Sequence, residues 1–129
     1  MIEIIKTEKD NIIGIKCVGL VTQEDYQNIL IPFLEEAIPK YGPLRAFCDM
    51  REFMGMEWKA LWDDFKYGIK HTKDVERIAT VGDQRWVAWL MKFSSLFYKM
   101  KLKHFNSSQV EEAWNWVNEE DEVSTSSEG

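Results

Sequence analysis

The chain has 129 residues, 45% hydrophobic and 29% charged, and this size and balance predict one globular domain with one core. The longest purely apolar run, residues 86–91, is far shorter than the roughly 20 residues that a membrane-spanning helix needs. The opening MIEIIKTEKD contains acids and lacks the apolar segment of a signal peptide, so we expect a cytoplasmic protein.

The net charge of −6 is concentrated at one end of the chain. Residues 119–129 hold five of the 22 acids and none of the 16 bases, so the remainder has 17 acids against 16 bases. A nucleic-acid-binding domain needs a basic face, and we therefore expect no nucleic-acid partner. We predict a folded domain over residues 1–118 and a disordered, acidic, serine-rich tail over residues 119–129.

The first predicted elements are two strands. Residues 2–6 and 12–18 alternate apolar with polar side chains, which is typical of half-buried strands. The short connection, with a turn at Asn11, predicts that they pair as an antiparallel hairpin.

A helix is predicted after the hairpin. Thr22 and Asp25 form a capping-box pattern ahead of an apolar stripe with helical spacing. Pro32 predicts a kink within this helix, and Pro39 begins the segment that ends it.

The rest of the chain alternates strands with helices. We predict strands at residues 44–50, 76–82 and 101–105, helices at 57–70 and 84–98, a loop at 51–56, and a last helix capped by Ser107 or Ser108. The order β-β-α-β-α-β-α-β-α predicts an α/β fold in one domain, with a mostly parallel sheet that the opening hairpin makes mixed.

The predicted helix at residues 84–98 is apolar on more than one face. A surface helix needs only one apolar stripe, about 100° wide. The apolar residues here fill a wider sector: Trp86, Val87, Trp89, Leu90, Met91, Phe93, Phe97 and Tyr98. One side therefore packs on the domain, and we expect another subunit, an apolar ligand or a membrane to cover the other.

A second apolar group lies just before and inside the helix at residues 57–70. It consists of Phe53, Met54, Met56, Trp58 and Trp62. Methionine-rich surfaces adapt to varied apolar partners, so this group either closes the core or lines a pocket or an interface.

Four lysines follow the apolar part of the helix at residues 84–98: Lys92, Lys99, Lys101 and Lys103. A basic end beside an apolar helix favours peripheral contact with anionic lipid. The alternative is that these lysines pair with the helix dipole and keep an edge strand soluble.

Few residues suggest catalysis. His71 and His104 stand near the ends of elements among lysines, where they would satisfy helix carbonyls. Asp49 and Asp83 follow predicted strands and could form a carboxylate pair in the crevice of the sheet. Asp49 equally fits a turn and Asp83 a helix N-cap.

Metal and thiol chemistry is not indicated either. Asp63 and Asp64 are adjacent on a helix and point about 100° apart, which predicts a solvated face rather than a metal site. Cys17 and Cys48 lie in apolar, strand-like runs and are predicted to be buried thiols without a disulfide. We predict no metal and no cofactor.

Four segments carry a family resemblance: Gly-Leu-Val-Thr-x-Glu-Asp-Tyr at residues 19–26, Leu-Arg-x-x-x-Asp at 44–49, Arg-Ile-Ala-x-Val-Gly-Asp at 77–83 and Glu-Ala-x-x-Trp at 112–116. With the order of elements, residues 1–118 resemble the SpoIIAA-like proteins, small bacterial relatives of the STAS domains of anti-sigma-factor antagonists. The resemblance implies a sheet of four or five strands with helices packed mainly on one face. It also implies similarity to lipid-carrying CRAL-TRIO domains, in a group with no established enzymatic activity and a suggested role in binding apolar ligands or protein partners.

The sequence departs from those antagonists at one motif. They carry a phosphorylatable serine in an Asp-Ser-Ser/Thr-Gly motif after the third strand. The matching stretch here, residues 49–55, contains no Ser or Thr, so the phospho-switch cannot operate by the same residue.

These observations predict a non-catalytic domain that binds an apolar small molecule or a lipid between the sheet and two helices. The predicted pocket has Trp58, Trp62, Trp86, Trp89, Phe93 and Phe97 as walls, with Met54 and Met56 as an adaptable lid. The alternative is a protein-interaction or regulatory module, in which the same surface forms a homodimer or partner interface. A third hypothesis is an enzyme that uses Asp49 and Asp83.

Overall fold

A computed structural model describes residues 1–71, 73–96 and 100–119 of the chain, apart from the side chains of residues 68 and 69. The strands are β1 (Ile2–Lys6), β2 (Ile12–Val21), β3 (Leu44–Met56), β4 (Val75–Val81) and β5 (Lys101–Phe105). The helices are α1 (Gln23–Asp25), α2 (Ile31–Tyr41), α3 (Trp58–Lys70), α4 (Arg85–Ser94) and α5 (Val110–Asn118). A π-helical turn, Tyr26–Leu30, joins α1 to α2, and a 3-10 turn, Ser107–Gln109, precedes α5.

The five strands form one mixed sheet in the order β1-β2-β3-β4-β5. β1 runs antiparallel to β2, and the other three neighbouring pairs are parallel. The predicted hairpin and α/β fold are therefore confirmed. Because the strand order follows the chain and parallel crossovers are right-handed, the helices that connect parallel strands share one face of the sheet.

The face that carries α1 to α4 holds the larger core. Its buried residues include Ile13, Ile15, Cys17, Tyr26, Leu30, Ala37, Ala46, Phe53 and Val87. The prediction that the helices pack mainly on one face is confirmed, since α5 alone among the described helices packs on the other.

The second core lies between the sheet and α5. The rings of Phe47 and Trp114 stack with 3.9 Å between centroids, and Ala113 and Val117 are fully buried against β4 and β5. Burial of these apolar groups holds the helix on the sheet.

Two arginines on neighbouring strands secure the end of α5. Arg45 and Arg77 are paired in register and are both buried. Arg45 Nη1 donates to the carbonyl of Val117 at 2.9 Å, and Arg77 Nη1 to that of Trp116 at 2.7 Å. Guanidinium groups at a helix C-terminus satisfy its last carbonyls and complement the helix dipole.

The stretch predicted as a loop at residues 51–56 belongs instead to β3. It pairs with the last residues of β2, for example Val18 with Glu52 and Val21 with Met56. The loop prediction failed because Gly55, with φ of +146°, interrupts the apolar pattern while the backbone pairing continues past it.

The first predicted helix is continuous but contains a π-helical turn. The predicted capping box at Thr22 is confirmed, since Thr22 and Asp25 bond each other's backbone N–H groups. Pro32 lacks an N–H group, and in the turn before it the Ile31 N–H reaches back five residues to the Tyr26 carbonyl. Pro39 lies inside α2 and does not end it; Gly42 provides the C-cap.

The last helix begins differently from the prediction. Asn106, not Ser107 or Ser108, caps the 3-10 turn, because its side chain accepts a bond from the Ser108 N–H. Gln109 bonds back to the Asn106 N–H at 3.0 Å and completes the capping box.

Replacement of Phe47 by alanine tests the second core. Phe47 is 3% exposed, so Phe47→Ala should lower the free energy of unfolding by about 3–5 kcal/mol. Tyr41→Ala is the control, since Tyr41 is 41% exposed and its loss should change stability by less than about 0.5 kcal/mol. Urea denaturation of both variants measures the difference, and equal losses would contradict this description of the core.

Candidate functional site

Exposed apolar side chains are concentrated on two helices and at the end of β3. Most of the large hydrophobic residues that stay exposed in the described part of the chain lie there: Met54, Trp58, Leu61, Trp62, Trp86, Trp89, Phe93 and Leu96. This set is referred to as the aromatic surface. Trp58 is 72% exposed and Trp89 61%. Within each helix these side chains are neighbours at spacings of three or four residues, and exposed apolar patches mark interaction sites on folded proteins.

Helix α3 turns its apolar side away from the domain. Trp58, Leu61 and Trp62 are exposed on its outer side. Its inner side, at spacings of three or four residues, consists of the fully buried Ala60 and three partly buried polar residues: Asp64, Tyr67 and His71. A helix on the surface of a globular domain ordinarily packs its apolar stripe inward. These aromatic side chains therefore do not close the core of this chain.

Polar contacts hold the inner side of α3. The Tyr26 hydroxyl, on the π-helical turn, donates a hydrogen bond to Asp64 Oδ1. Gln23 Nε2 and Gln27 Nε2 each donate to Asp63 Oδ2 at 3.2 Å. The prediction that Asp63 and Asp64 form a solvated face is wrong for Asp64, whose carboxyl is buried, whereas Asp63 is half-buried and bonds to Gln23 and Gln27.

Helix α4 carries apolar side chains on two sides, as the sequence predicts. Val87 is buried in the larger core, whereas Trp86, Trp89 and Phe93 are exposed. The Trp86 ring lies 5.2 Å from the ring of Phe53, and the Trp89 and Phe93 rings stack 5.4 Å apart. Ring contacts of this kind fix the orientation of the aromatic side chains before any partner binds.

The start of α4 is anchored to the end of β3. Gln84 Nε2 donates to the carbonyls of Met50 and Phe53, both at 2.8 Å. A side chain at Gly82 would meet Gln84 Oε1 and lie 3.2 Å from the Met50 carbonyl. Glycine at this position therefore permits the close approach that joins the two segments of the aromatic surface.

The two candidate catalytic carboxylates are both held in their ionised form. Asp49 lies inside β3, not in a turn, and its oxygens accept bonds from Arg51 Nε and Nη2 at 2.9 and 2.8 Å. These bonds from Arg51 lower the pKa of Asp49. Asp83 is not the N-cap of α4, which is Gln84; it accepts bonds from the Ser107 hydroxyl and N–H, and they lower its pKa.

Both histidines are engaged by neighbouring groups. His104 Nε2 donates to the Gly82 carbonyl at 2.9 Å, so Nδ1 accepts from the Thr80 hydroxyl at 2.7 Å. His71 Nδ1 lies 2.7 Å from an Asp74 carboxylate oxygen. The side chains of both histidines are therefore held in place by neighbouring groups.

The cysteines are free thiols. Burial raises the pKa of Cys17 to about 12 and also raises that of Cys48, so neither forms a thiolate near neutral pH. In the described part of the chain no three His, Cys, Asp or Glu residues are grouped closely enough to hold a metal ion. No described helix is long and apolar enough to cross a membrane.

Six of the eight predicted pocket residues are exposed to solvent: Met54, Trp58, Trp62, Trp86, Trp89 and Phe93. A cavity of about 420 Å³ lies beside Asp83 and Ser107, and one of about 210 Å³ lies between the β1–β2 turn and α2. None of the predicted wall and lid residues lines either cavity. Met56 is partly buried against the larger core, and Phe97 lies outside the described residues.

Comparisons with known proteins agree with this architecture. The model of the SpoIIAA-like family matches residues 12–118. A crystal structure of an uncharacterised DUF3478-family protein with a SpoIIAA-like fold, from Shewanella loihica PV-4, is 31% identical, with a TM-score of 0.74. The match covers 91% of this chain and 92% of that one. A comparison with curated proteins finds no match.

The fold is thus that of a mixed-sheet α/β domain, and the family match covers most of its length. The chain belongs to the SpoIIAA-like family. The resemblance predicted from the four sequence segments is confirmed at the level of family and fold.

Burial of the Asp64 carboxyl predicts a pH dependence of stability. Although part of the Asp64 residue is exposed, burial of its carboxyl raises the pKa from 3.8 to about 6. The folded state therefore binds this proton more tightly than the unfolded state, and the contribution to stability falls as the pH rises from about 4 to above 6. The expected loss is about 2–3 kcal/mol.

Urea denaturation at several pH values measures this effect. Asp64→Asn keeps a hydrogen-bond acceptor for Tyr26 but cannot ionise, so the difference between the two proteins isolates the Asp64 contribution. The stability of Asp64→Asn relative to the native chain should increase between pH ~4 and ~7. A constant difference would show that the carboxyl is not buried as described.

Proposed function

We propose that the protein is a non-catalytic binding domain, and that its aromatic surface takes up an apolar small molecule or the acyl chain of a lipid. The observation that carries the proposal is the orientation of α3, whose tryptophans point away from the core. Burial of one large apolar side chain contributes about 1.5–3 kcal/mol. A ligand that covers several of them would gain enough free energy for stable binding.

The way α3 is attached supports this proposal. Its inner side is held by hydrogen bonds from Tyr26, Gln23 and Gln27, and Ala60 is its fully buried apolar residue. Because the acceptors are carboxylates, each such hydrogen bond contributes about 1.5–3 kcal/mol net. These bonds therefore hold α3 with its tryptophans outward, where an apolar ligand can reach them.

The methionines beside α3 suit a variable ligand. Met54 is 81% exposed and lies next to Phe53, which contacts the Trp86 ring. Met56 ends β3 immediately before α3. Flexible thioether side chains at this position would adapt to acyl chains of different shape.

The state of the candidate catalytic groups supports a role without chemistry. A proton donor near neutral pH needs a carboxyl with a raised pKa. The pKa values of Asp49 and Asp83 are instead lowered by Arg51 and Ser107. Neither residue is suited to the acid–base step that the enzyme hypothesis requires.

A second candidate function is favoured by the openness of the surface. The five predicted pocket walls among the described residues lie on the outside of α3 and α4, and they line neither of the two cavities. A flat apolar surface of this kind would also suit a homodimer or a protein partner. Such a module would work without the phospho-serine switch, because residues 49–55 lie in β3 and contain no Ser or Thr.

Binding of a fluorescent fatty acid tests the first candidate. Delipidated protein should bind cis-parinaric acid, and Trp62→Ala should weaken binding about tenfold or more, because it removes a large apolar contact. Trp62 is 53% exposed, so the variant should remain folded. Tyr41→Ala, an exposed aromatic residue on α2, is the matched control and should bind normally.

Sedimentation of the same variants separates the two candidates. A ligand-free native dimer that Trp62→Ala converts to monomer, together with no binding of the fatty acid, would replace the ligand proposal with the interface. Saturable fatty-acid binding by a monomer would support the ligand proposal. Unfolding of Trp62→Ala would place the side chain in the core and contradict both.

A further inference from the structure

We infer that the outer sides of α3 and α4 dock together on the surface of an anionic lipid bilayer. The inference rests on the proposed function in one respect, since the same aromatic side chains would meet the acyl chains. The inference adds that the partner is an anionic bilayer, because basic residues flank the aromatic surface.

The charge of α4 and β5 is entirely positive. Residues 84–110 contain no Asp or Glu, although the whole chain has 22 such residues. The same stretch contains five bases: Arg85, Lys92, Lys99, Lys101 and Lys103. Four of them lie in the described residues and are exposed, and Lys99 lies outside. Arg85 and Lys92 lie on α4, whereas Lys101 and Lys103 alternate along β5 with Phe105 and so point to the face of the sheet that carries α5. The two bases of α4, on a helix without an acid, predict attraction of its outer side to an anionic partner.

The outer side of α3 is also flanked by basic residues and lacks acidic ones. The acidic groups of the helix are turned towards the first helix, where Glu57 accepts from the Gln23 N–H at 2.9 Å and Asp63 and Asp64 accept from side chains. Three exposed bases flank its outer apolar side: Lys59, Lys66 and Lys70. The outer side of α3 is therefore apolar with a basic flank.

The two outer sides have the composition of helices that lie in a membrane interface. On α4, Trp86, Trp89 and Phe93 follow one another at spacings of three or four residues, and Leu96 is exposed just past the end of the helix. Arg85 and Lys92 stand at the border of this stripe. Tryptophan is favoured at the level of lipid headgroups, and lysine stems can extend to the phosphates. Helices of this type lie parallel to the bilayer with the apolar side inserted.

The arrangement favours a bilayer over a folded acidic partner. Both helices lie on the same face of the sheet, and both present apolar side chains flanked by bases. Lysines on long flexible side chains suit mobile anionic headgroups, whereas specific acidic protein partners are met by more rigid contacts such as bidentate arginine. An anionic bilayer, with many equivalent headgroups above an apolar interior, fits these features.

Vesicle sedimentation tests the inference. The native chain should bind vesicles of phosphatidylcholine with about 30% phosphatidylserine at least tenfold more tightly than vesicles of phosphatidylcholine alone. Salt at about 1 M should remove most of this preference, because it shortens the screening length to roughly 3 Å. Tryptophan emission should shift to the blue on binding, since Trp58 and Trp89 would leave water.

Charge reversal locates the docking surface. Arg85→Glu with Lys92→Glu, both exposed on α4, should weaken binding to the anionic vesicles at least tenfold, and Lys59→Glu with Lys66→Glu should do the same from α3. Lys6→Glu with Lys9→Glu makes an equal change of charge at exposed positions on the opposite edge of the sheet and should leave binding almost unchanged. Circular dichroism confirms that each variant is folded.

Each outcome separates this inference from the proposed function. Vesicle binding that does not depend on phosphatidylserine, or that the control pair weakens equally, overturns the inference. Binding of cis-parinaric acid without vesicle binding also overturns it and leaves the proposed function in place. Charge-dependent vesicle binding by a chain that does not bind the fatty acid supports docking and rejects the proposed ligand site.

Discussion

The attachment of α3 through its polar side is the constraint on which the surface of this protein depends. Asp63 and Asp64 bond to Gln23, Gln27 and Tyr26, so the helix must turn its opposite, tryptophan-bearing side to solvent. The π-helical turn takes part, because Tyr26 is its first residue and is buried beneath α3. An apolar surface therefore exists here because polar groups occupy the place that apolar groups usually take.

The sheet brings the remaining parts of that surface together. β3 continues six residues beyond the predicted strand and carries Phe53 and Met54 to the start of α3. Gln84 then ties the start of α4 to the same end of β3. The mixed sheet, with α5 packed on its other face, thus supports two helices whose outer sides carry exposed apolar residues.

Much of the fold could be read from patterns along the chain. Alternation at residues 2–6 and 12–18 identified the hairpin, and the capping box at Thr22 identified the first helix, because these signals depend on neighbouring residues alone. The predictions of the helix caps were wrong where the cap depends on a contact with a residue distant in the sequence. Asp83 bonds Ser107 and does not cap α4, and Gln84, which does, acts on carbonyls of β3. The Asn106 cap was missed because three polar residues in succession fit the pattern equally well.

The candidate site, like the fold, could be predicted from the sequence only in part. The sequence by itself determined that α3 and α4 have apolar sides rich in tryptophan, and that α4 has more apolar surface than one contact can cover, since helical spacing fixes which side chains share a side. It could not determine which side of α3 faces the sheet. That was decided by the tertiary structure, where Tyr26 bonds to the buried carboxyl of Asp64, and Gln23 and Gln27 bond to Asp63. Without a partner, the buried carboxyl would be costly to remove from water.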